Sequence, residues 1–189
     1  MKIIFVTGNK TKFASAQKVL TGFGIELEQQ KVETPEIQST DSAAVATYSA
    51  RYAADKLGKS VIVTDVGWYI TALNGFPGPF IKYINEWLTP DDIMRLMSGV
   101  EDRGIVGKEV AAYCEPGGEP KVFVMNDYGT ITEEPEHVED ATTLDNILVL
   151  PDLGVVYSLV PYDKQIEYWS VHSTNYHQLG EYLKSLEKR

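Results

Sequence analysis

The residues best placed to do chemistry stand within the first dozen positions. Thr7-Gly8-Asn9-Lys10-Thr11-Lys12 follows the apolar run Lys2-Ile3-Ile4-Phe5-Val6 and precedes a segment with Phe13, Ala16, Gln17 and Leu20 at helical spacing. The run has no polar alternation, which is the pattern of a strand covered on both faces. A strand that enters a helix through a tight turn gathers unpaired backbone N–H groups and the positive end of the helix dipole at one point. An anion is favoured there before any side chain is considered. Gly8 permits close backbone approach, the Asn9 amide can donate and accept, and Lys12 adds a point charge one turn into the helix. The pattern T-G-N-x-x-K is not a Walker A loop, which needs two glycines flanking four residues and then Lys-Ser/Thr. A phosphate-sized anion site and a plain capped helix start both fit these residues.

Asp65 is the second candidate. It follows the apolar run Ser60-Val61-Ile62-Val63-Thr64, and a carboxylate at the end of a buried strand is fixed by the strand yet open to a cleft, a common place for a metal ligand or base. Capping the next element is the alternative. Glu36, in Thr34-Pro35-Glu36-Ile37-Gln38, is either a second oxygen ligand or an ordinary surface acid. Lys82 follows the stiff turn Asn74-Gly75-Phe76-Pro77-Gly78-Pro79 and either reaches an anion or is solvated. His137, His172 and His177 show no metal-ligand spacing, and no Ser-His-Asp arrangement is supported. In an open parallel sheet, ligands sit beyond the carboxyl ends of the strands, so the loops at Thr7–Asn9 and Asp65 are expected to share one cleft.

The elements that must position these residues follow from the pattern. Ile25 to Val32 reads as a second strand. Ser39 to Gly58 reads as a long Ala-rich helix, capped by Asp41 or Ser42 and closed by Gly58. Ser60 to Thr64 is a third strand, ending at Asp65-Val66-Gly67, with Trp68 to Leu73 a further one. Thr89-Pro90-Asp91-Asp92 is a helix start with a hydroxyl at the cap, Pro at the first helical position and acids in the first turn. Val106 to Val124 reads as a hairpin turning at Pro116-Gly117-Gly118. Tyr128 to Thr132, Asn146 to Leu150 and Val155 to Leu159 read as short strands, Glu133 to Asp140 as an acidic solvated loop, and Asn175 to Leu186 as an amphipathic closing helix. Two apolar strands separated by an Ala-rich helix support a wound α/β sheet.

Composition narrows the function classes. The 189 residues fit one domain, or one domain with a lobe, and 43% hydrophobic content suffices for a full core. A net charge of −10 argues against sequence-independent binding to nucleic acid. Small anionic substrates remain compatible if a local basic pocket or divalent cation offsets the field. The lone Cys114 excludes an internal disulfide framework and a cysteine-rich zinc site. No run approaches the ~20 apolar residues needed to cross a bilayer, and nothing at the N-terminus reads as a signal peptide, so a cytoplasmic protein is the expectation.

Four segments in order resemble the inosine triphosphate pyrophosphatases, which hydrolyse non-standard purine nucleoside triphosphates. They are T-G-N-x-x-K at Thr7 to Lys12, P-E-x-Q at Pro35 to Gln38, the aspartate after a strand at Asp65, and A-L-N-G-F-P-G-P-F-I-K at Ala72 to Lys82. The resemblance covers most of the chain and is strongest in its first half. It implies an α/β fold with an elongated mixed sheet and flanking helices, forming two lobes around a central cleft within a single domain over residues 1–189, and a homodimer. It also implies Thr7, Gly8, Asn9, Lys10, Thr11 and Lys12 as triphosphate contacts, Glu36 and Asp65 as Mg²⁺ ligands, Lys82 as a substrate contact, and Asp65 with Lys12 as the catalytic pair.

The chain departs from the family's pattern at named places. Ser15 stands where an acid is usual on the first helix, Thr64 where an acid usually precedes Asp65, and Ser49 or a neighbour where a lysine is usual. Thr143-Leu144-Asp145-Asn146-Ile147 replaces F-G-(W/Y)-D-P, and Ser170-Val171-His172 replaces S-H-R. Asp145, Asn146 and His172 are then the expected base contacts. Losing an aromatic and an arginine removes stacking and purine hydrogen bonds, and losing two carboxylates weakens metal binding and water activation. Three readings follow: a pyrophosphatase with altered base preference, a nucleotide-binding pseudoenzyme, and a partner-binding subunit that uses its acidic surface, Trp87 and Trp169. The four segments in order favour the pyrophosphatase.

Overall fold

A computed structural model describes residues 1–35 and 37–187. The elements run β1 (Lys2–Val6), α1 (Lys10–Thr21), β2 (Glu26–Gln30), α2 (Ser42–Leu57), β3 (Val61–Ile70), β4 (Pro77–Gly78), α3 (Ile81–Trp87), α4 (Pro90–Leu96), β5 (Gly104–Cys114), β6 (Lys121–Ile131), β7 (Leu148–Val149), α5 (Tyr162–His172) and α6 (Thr174–Leu186). The strands form one sheet in the order β2-β1-β3-β5-β6-β7, with β4 paired to β3. β1 is parallel to β2 and to β3, whereas β4 is antiparallel to β3 and β7 to β6. This is the α/β class that the strand and helix pattern indicates, with the mixed sheet and flanking helices that the family resemblance implies.

The chain divides into two compact units. The first comprises Met1–Asp65, Glu109–Met125 and Asp163–Arg189, and the second Val66–Lys108 and Asn126–Tyr162. The first unit is a three-layer arrangement dictated by strand alternation. Ile3 and Phe5 of β1, Ile62 of β3 and Ala111 and Tyr113 of β5 share a core with Ala16, Val19 and Leu20 of α1 and Tyr176, Leu179 and Leu183 of α6. The intervening residues Ile4, Val6, Val61, Val63, Val110 and Ala112 face Ala46, Ala50, Ala53 and Ala54 of α2. The alanines bring this helix close to the sheet. Its ends are set by the Asp41 side chain, which accepts the Ala43 amide, and by Gly58 in the left-handed conformation.

In the second unit, Trp68 and Ile70 of β3, Ile81 and Ile84 of α3, Ile93 of α4, and Ile131, Ile147 and Leu148 are buried. α4 begins at the helix start foreseen at Thr89, as a capping box in which the Thr89 side chain accepts the Asp92 amide and the Asp92 side chain accepts the Thr89 amide. Half-buried Arg103 donates to the Ile131 carbonyl at 2.8 Å and to that of Thr132. A Cβ on Gly107 would stand 2.8 Å from the Trp68 ring, so the glycine is what lets that indole lie against β5.

Several elements differ from the sequence reading. Ser60 to Thr64 and Trp68 to Leu73 are not two strands. β3 runs unbroken through Asp65 and Gly67 to Ile70, and only Thr71–Leu73 turns, as a 3-10 helix. Tyr128 to Ile131 is the far end of an eleven-residue β6, which stops short of Thr132. Asn146 to Leu150 contributes only Leu148 and Val149 as strand, and Val155 to Leu159 is a single bridge from Val156 to Val149 followed by a 3-10 turn. α5 went unforeseen because its segment, YDKQIEYWSVH, has no clear apolar stripe and buries only Tyr168 and Ser170.

Candidate functional site

The parallel pairing of the three strands ends level. Gln30 of β2 pairs with Val6 of β1, and Val6 with Val63 of β3, so Lys31, Thr7 and Thr64 are the next residues on adjacent strands. The first loop is bound to its neighbour by the Thr7 amide donating to the Gln30 carbonyl at 3.2 Å and the Gln29 side-chain amide donating to the Thr7 carbonyl at 3.1 Å. Asn9 is the N-cap of α1. Its Oδ1 accepts the Lys12 amide at 3.0 Å while its own amide donates to Thr7 Oγ1 at 3.1 Å. Gly8 is exposed, and a Cβ there would meet the Lys31 side chain, 3.3 Å from Cε and 4.0 Å from Nζ. Lys31 is therefore a second cation beside the loop, one the sequence reading missed because it stands outside the motif and comes close only through strand register. Lys10 is exposed and Thr11 half-buried.

Behind the loop, Lys12 Nζ lies 3.7 Å from Glu109 Oε1 on β5. The buried Tyr176 hydroxyl on α6 donates to the same oxygen at 3.0 Å. Burial and the neighbouring Glu109 carboxylate hold the Tyr176 phenol well above its ordinary pKa, against the opposing effect of its hydrogen bond with Thr64. Glu109, Tyr176 and Thr64 thus join three elements under the loop. Ser15 is buried, its hydroxyl donating to the Thr11 carbonyl at 2.9 Å.

Asp65 is half-buried inside β3 rather than at a strand end. The pairing of β1 with β3 reaches only Val63, so Asp65 lies two residues past it. Continuing the alternation, Thr64 takes the Ile62 side, toward α1 and α6, and Asp65 the side of Val61 and Val63, toward α2. Ser49, on α2, is buried.

The other expected contacts are distributed between the units. In the second unit, Lys82 is exposed on the first turn of α3, its ammonium 5.9 Å from the Tyr83 ring centroid. Asp145 sits in a reciprocal turn, its amide donating to Thr142 Oγ1 and its Oδ2 accepting the Thr142 amide, each at 3.2 Å. Burial raises its carboxyl above the ordinary value, with the Thr142 bonds opposing. Asn146 is buried and pairs with Val138 as a strand neighbour would: Oδ1 accepts the amide at 3.0 Å and Nδ2 donates to the carbonyl at 3.3 Å. In the first unit, His172 ends α5 with Nδ1 2.8 Å from the Tyr168 carbonyl and its ring stacked on Tyr168 at 4.0 Å.

Glu36 lies outside the described residues. Among those described, no three His, Cys, Asp or Glu side chains gather into a metal site. Asp65 supplies the hard oxygen donors that Mg²⁺ takes, and Mg²⁺ is commonly held by one or two carboxylates with substrate phosphates and water completing its shell. The donor chemistry fits.

Fold and loop together define the class: an α/β protein with a mixed sheet in which β1 passes through a short turn into the Asn9-capped helix α1. The chain belongs to the Ham1 family, whose sequence profile matches residues 3–166. It is 43% identical over 139 residues to the dITP/XTP pyrophosphatase of Methanopyrus kandleri, covering 74% of each chain. It is 29% identical over 172 residues to the inosine triphosphate pyrophosphatase of Puccinia graminis f. sp. tritici, covering 87% of this chain and 88% of that one. Its fold is similar to that of a HAM1 protein from Coxiella burnetii, with a TM-score of 0.78 over 98% of this chain and 99% of the other at 23% identity. No helix among the described residues is long and apolar enough to cross a membrane.

Proposed function

We propose that this protein is a nucleoside triphosphate pyrophosphatase that cleaves non-standard or modified purine (deoxy)nucleoside triphosphates to the monophosphate and pyrophosphate. The observation that carries the reading is the Asn9-capped loop with Lys12 and Lys31 beside it, at the carboxyl ends of parallel strands, in a chain whose family relatives bear pyrophosphatase names. Thr7, Gly8, Asn9, Lys10, Thr11 and Lys12 are the proposed triphosphate contacts, Lys10 and Lys12 acting through their charge. Lys12 neutralises the charge that develops on the departing pyrophosphate. Asp65 orients the attacking water and, with Glu36, is the expected holder of Mg²⁺. When bound, Mg²⁺ withdraws charge from the phosphoryl oxygens and makes nearby water more acidic. Lys82, Asp145, Asn146 and His172 are proposed nucleotide contacts. The protein works as a single pyrophosphatase-like domain, a cytoplasmic homodimer. Release of pyrophosphate from a triphosphate panel with Mg²⁺ tests the activity, and sedimentation analysis tests the dimer.

A further inference from the structure

We propose that Glu109 is the positioning residue for Lys12, and that Tyr176 fixes Glu109 for that task. The inference rests on the reading of Lys12 as a phosphate ligand and deepens it. A lysine on its own is a poor instrument for holding a phosphate at one place, because its four-carbon stem carries large rotamer freedom that must be lost on binding. Here the freedom is already reduced. The Lys12 side chain is 23% exposed, and its ammonium lies 3.7 Å from Glu109 Oε1, on a carboxylate whose side chain is 9% exposed.

A carboxylate so enclosed is costly unless it is paired and hydrogen-bonded. Tyr176 meets the second need by donating to that same oxygen at 3.0 Å. The phenol is itself 1% exposed and also hydrogen-bonded with Thr64, the residue beyond the parallel register of β1 and β3. Its position is therefore fixed from β3, β5 and the α6 core at once. The sheet accounts for the placement: Glu109 belongs to the Ala111 and Tyr113 side of β5, which packs against α1 and α6. Lys12 on α1 and Tyr176 on α6 reach it from those two helices. Both contacts fall on Oε1, so the carboxylate is held at one oxygen and in turn holds the ammonium of a lysine in the first turn of α1. A Lys–Glu pair that must be in place before a phosphate is gripped correctly is an established device in phosphoryl transfer.

The test compares Glu109→Gln, Tyr176→Phe, Lys12→Ala and the Glu109→Gln/Lys12→Ala double variant. The readouts are binding of inorganic tripolyphosphate by calorimetry, KM and kcat for dITP with Mg²⁺, and melting temperature. Glu109→Gln keeps an acceptor for Tyr176 but removes the charge. It is expected to weaken tripolyphosphate binding by roughly tenfold and to lower kcat/KM for dITP at least as much, kcat included because Lys12 acts on the departing pyrophosphate, and Tyr176→Phe is expected to do the same to a smaller extent. The double variant is expected to be no weaker than Lys12→Ala alone, since the two residues act as one unit. If Glu109→Gln binds tripolyphosphate as well as or better than the wild type while Lys12→Ala binds it worse, Glu109 is only a counter-ion and the proposal is wrong, although the phosphate reading stands. If Lys12→Ala binds it unchanged, both are overturned. Should Glu109→Gln fail to fold, the near-isosteric Tyr176→Phe carries the test, and unchanged binding in that variant contradicts the proposal.

Discussion

The Asn9 side-chain oxygen accepts the Lys12 amide at 3.0 Å, so the residue that caps α1 and the residue that charges its first turn are held to one another. Cap and cation are therefore separable by mutation. Asn9→Ala removes an N-cap and is expected to cost about 1 kcal/mol of stability together with some triphosphate affinity. Lys12→Ala leaves the cap intact and is expected to cost about 1–3 kcal/mol of triphosphate binding, the scale of a charge-assisted hydrogen bond, and to lower the melting temperature as well, because it leaves the enclosed Glu109 carboxylate without its cation. Calorimetry and thermal unfolding on both variants check this. Equal affinity for wild type and Lys12→Ala would leave the loop as a helix start and nothing more.

Asp65 is expected to matter for turnover more than for folding. It is half-buried, in a strand whose neighbours Val61, Ile62 and Val63 already supply the core, so Asp65→Asn should unfold near the wild-type temperature. Losing a charged oxygen donor should lower kcat by at least tenfold, on the order of the contribution of a positioned acid or base. Wild-type turnover in the variant would make Asp65 a structural residue.

The first half of the chain was legible because its signals are local. An unbroken apolar run, a Gly-Asn turn, an Asp cap and a terminal Gly fix β1, α1 and α2 without reference to anything distant. Asp65 was found for a reason that the structure revises. The polar pair Thr64-Asp65 and Gly67 read as a strand end, yet sheet pairing carries β3 through them, because β4 and β5 supply neighbours after β1 stops. Glu109, Tyr176 and Lys31 could not be found locally. Glu109 lies in a run that reads as ordinary hairpin strand, Tyr176 is one of 11 tyrosines, and Lys31 reaches Gly8 only through the register of β2 on β1. Each becomes visible once three-dimensional neighbours are known.

Gly107 has a packing reason that composition does not reveal. A Cβ there would lie 2.8–3.0 Å from three atoms of the Trp68 ring, and the indole is buried, with little room to move. Gly107→Ala is expected to destabilise the fold by about 1–3 kcal/mol, the usual cost of overpacking, even though alanine is otherwise the better strand residue. Chemical denaturation measures this, and a neutral or stabilising result would show that the Trp68 side chain shifts freely.

Asp145 gives a pH prediction. Burial raises its folded-state pKa above that of the unfolded chain, so the folded protein holds this proton more tightly. The stabilisation is complete below the unfolded value and is lost as pH rises through the folded one. Asp145→Asn removes the ionisation while keeping an acceptor for the Thr142 amide. Its melting temperature should therefore exceed that of the wild type near neutral pH, with the gap closing in acid. A gap that widens in acid would contradict the assignment.

The central claim is that the loop at Thr7 to Lys12 serves hydrolysis of a triphosphate to monophosphate and pyrophosphate. Its most direct test is kcat/KM for pyrophosphate release across dITP, ITP, XTP, the standard nucleotides and modified purines, with Mg²⁺ and with chelator. The account predicts stoichiometric pyrophosphate and nucleoside monophosphate from at least one non-standard purine, abolished by chelator. With Thr143 to Ile147 and Ser170 to His172 in place of the usual base-contacting segments, it also predicts that the best substrate need not be ITP or XTP. Binding of these triphosphates without release of pyrophosphate from any of them would contradict it.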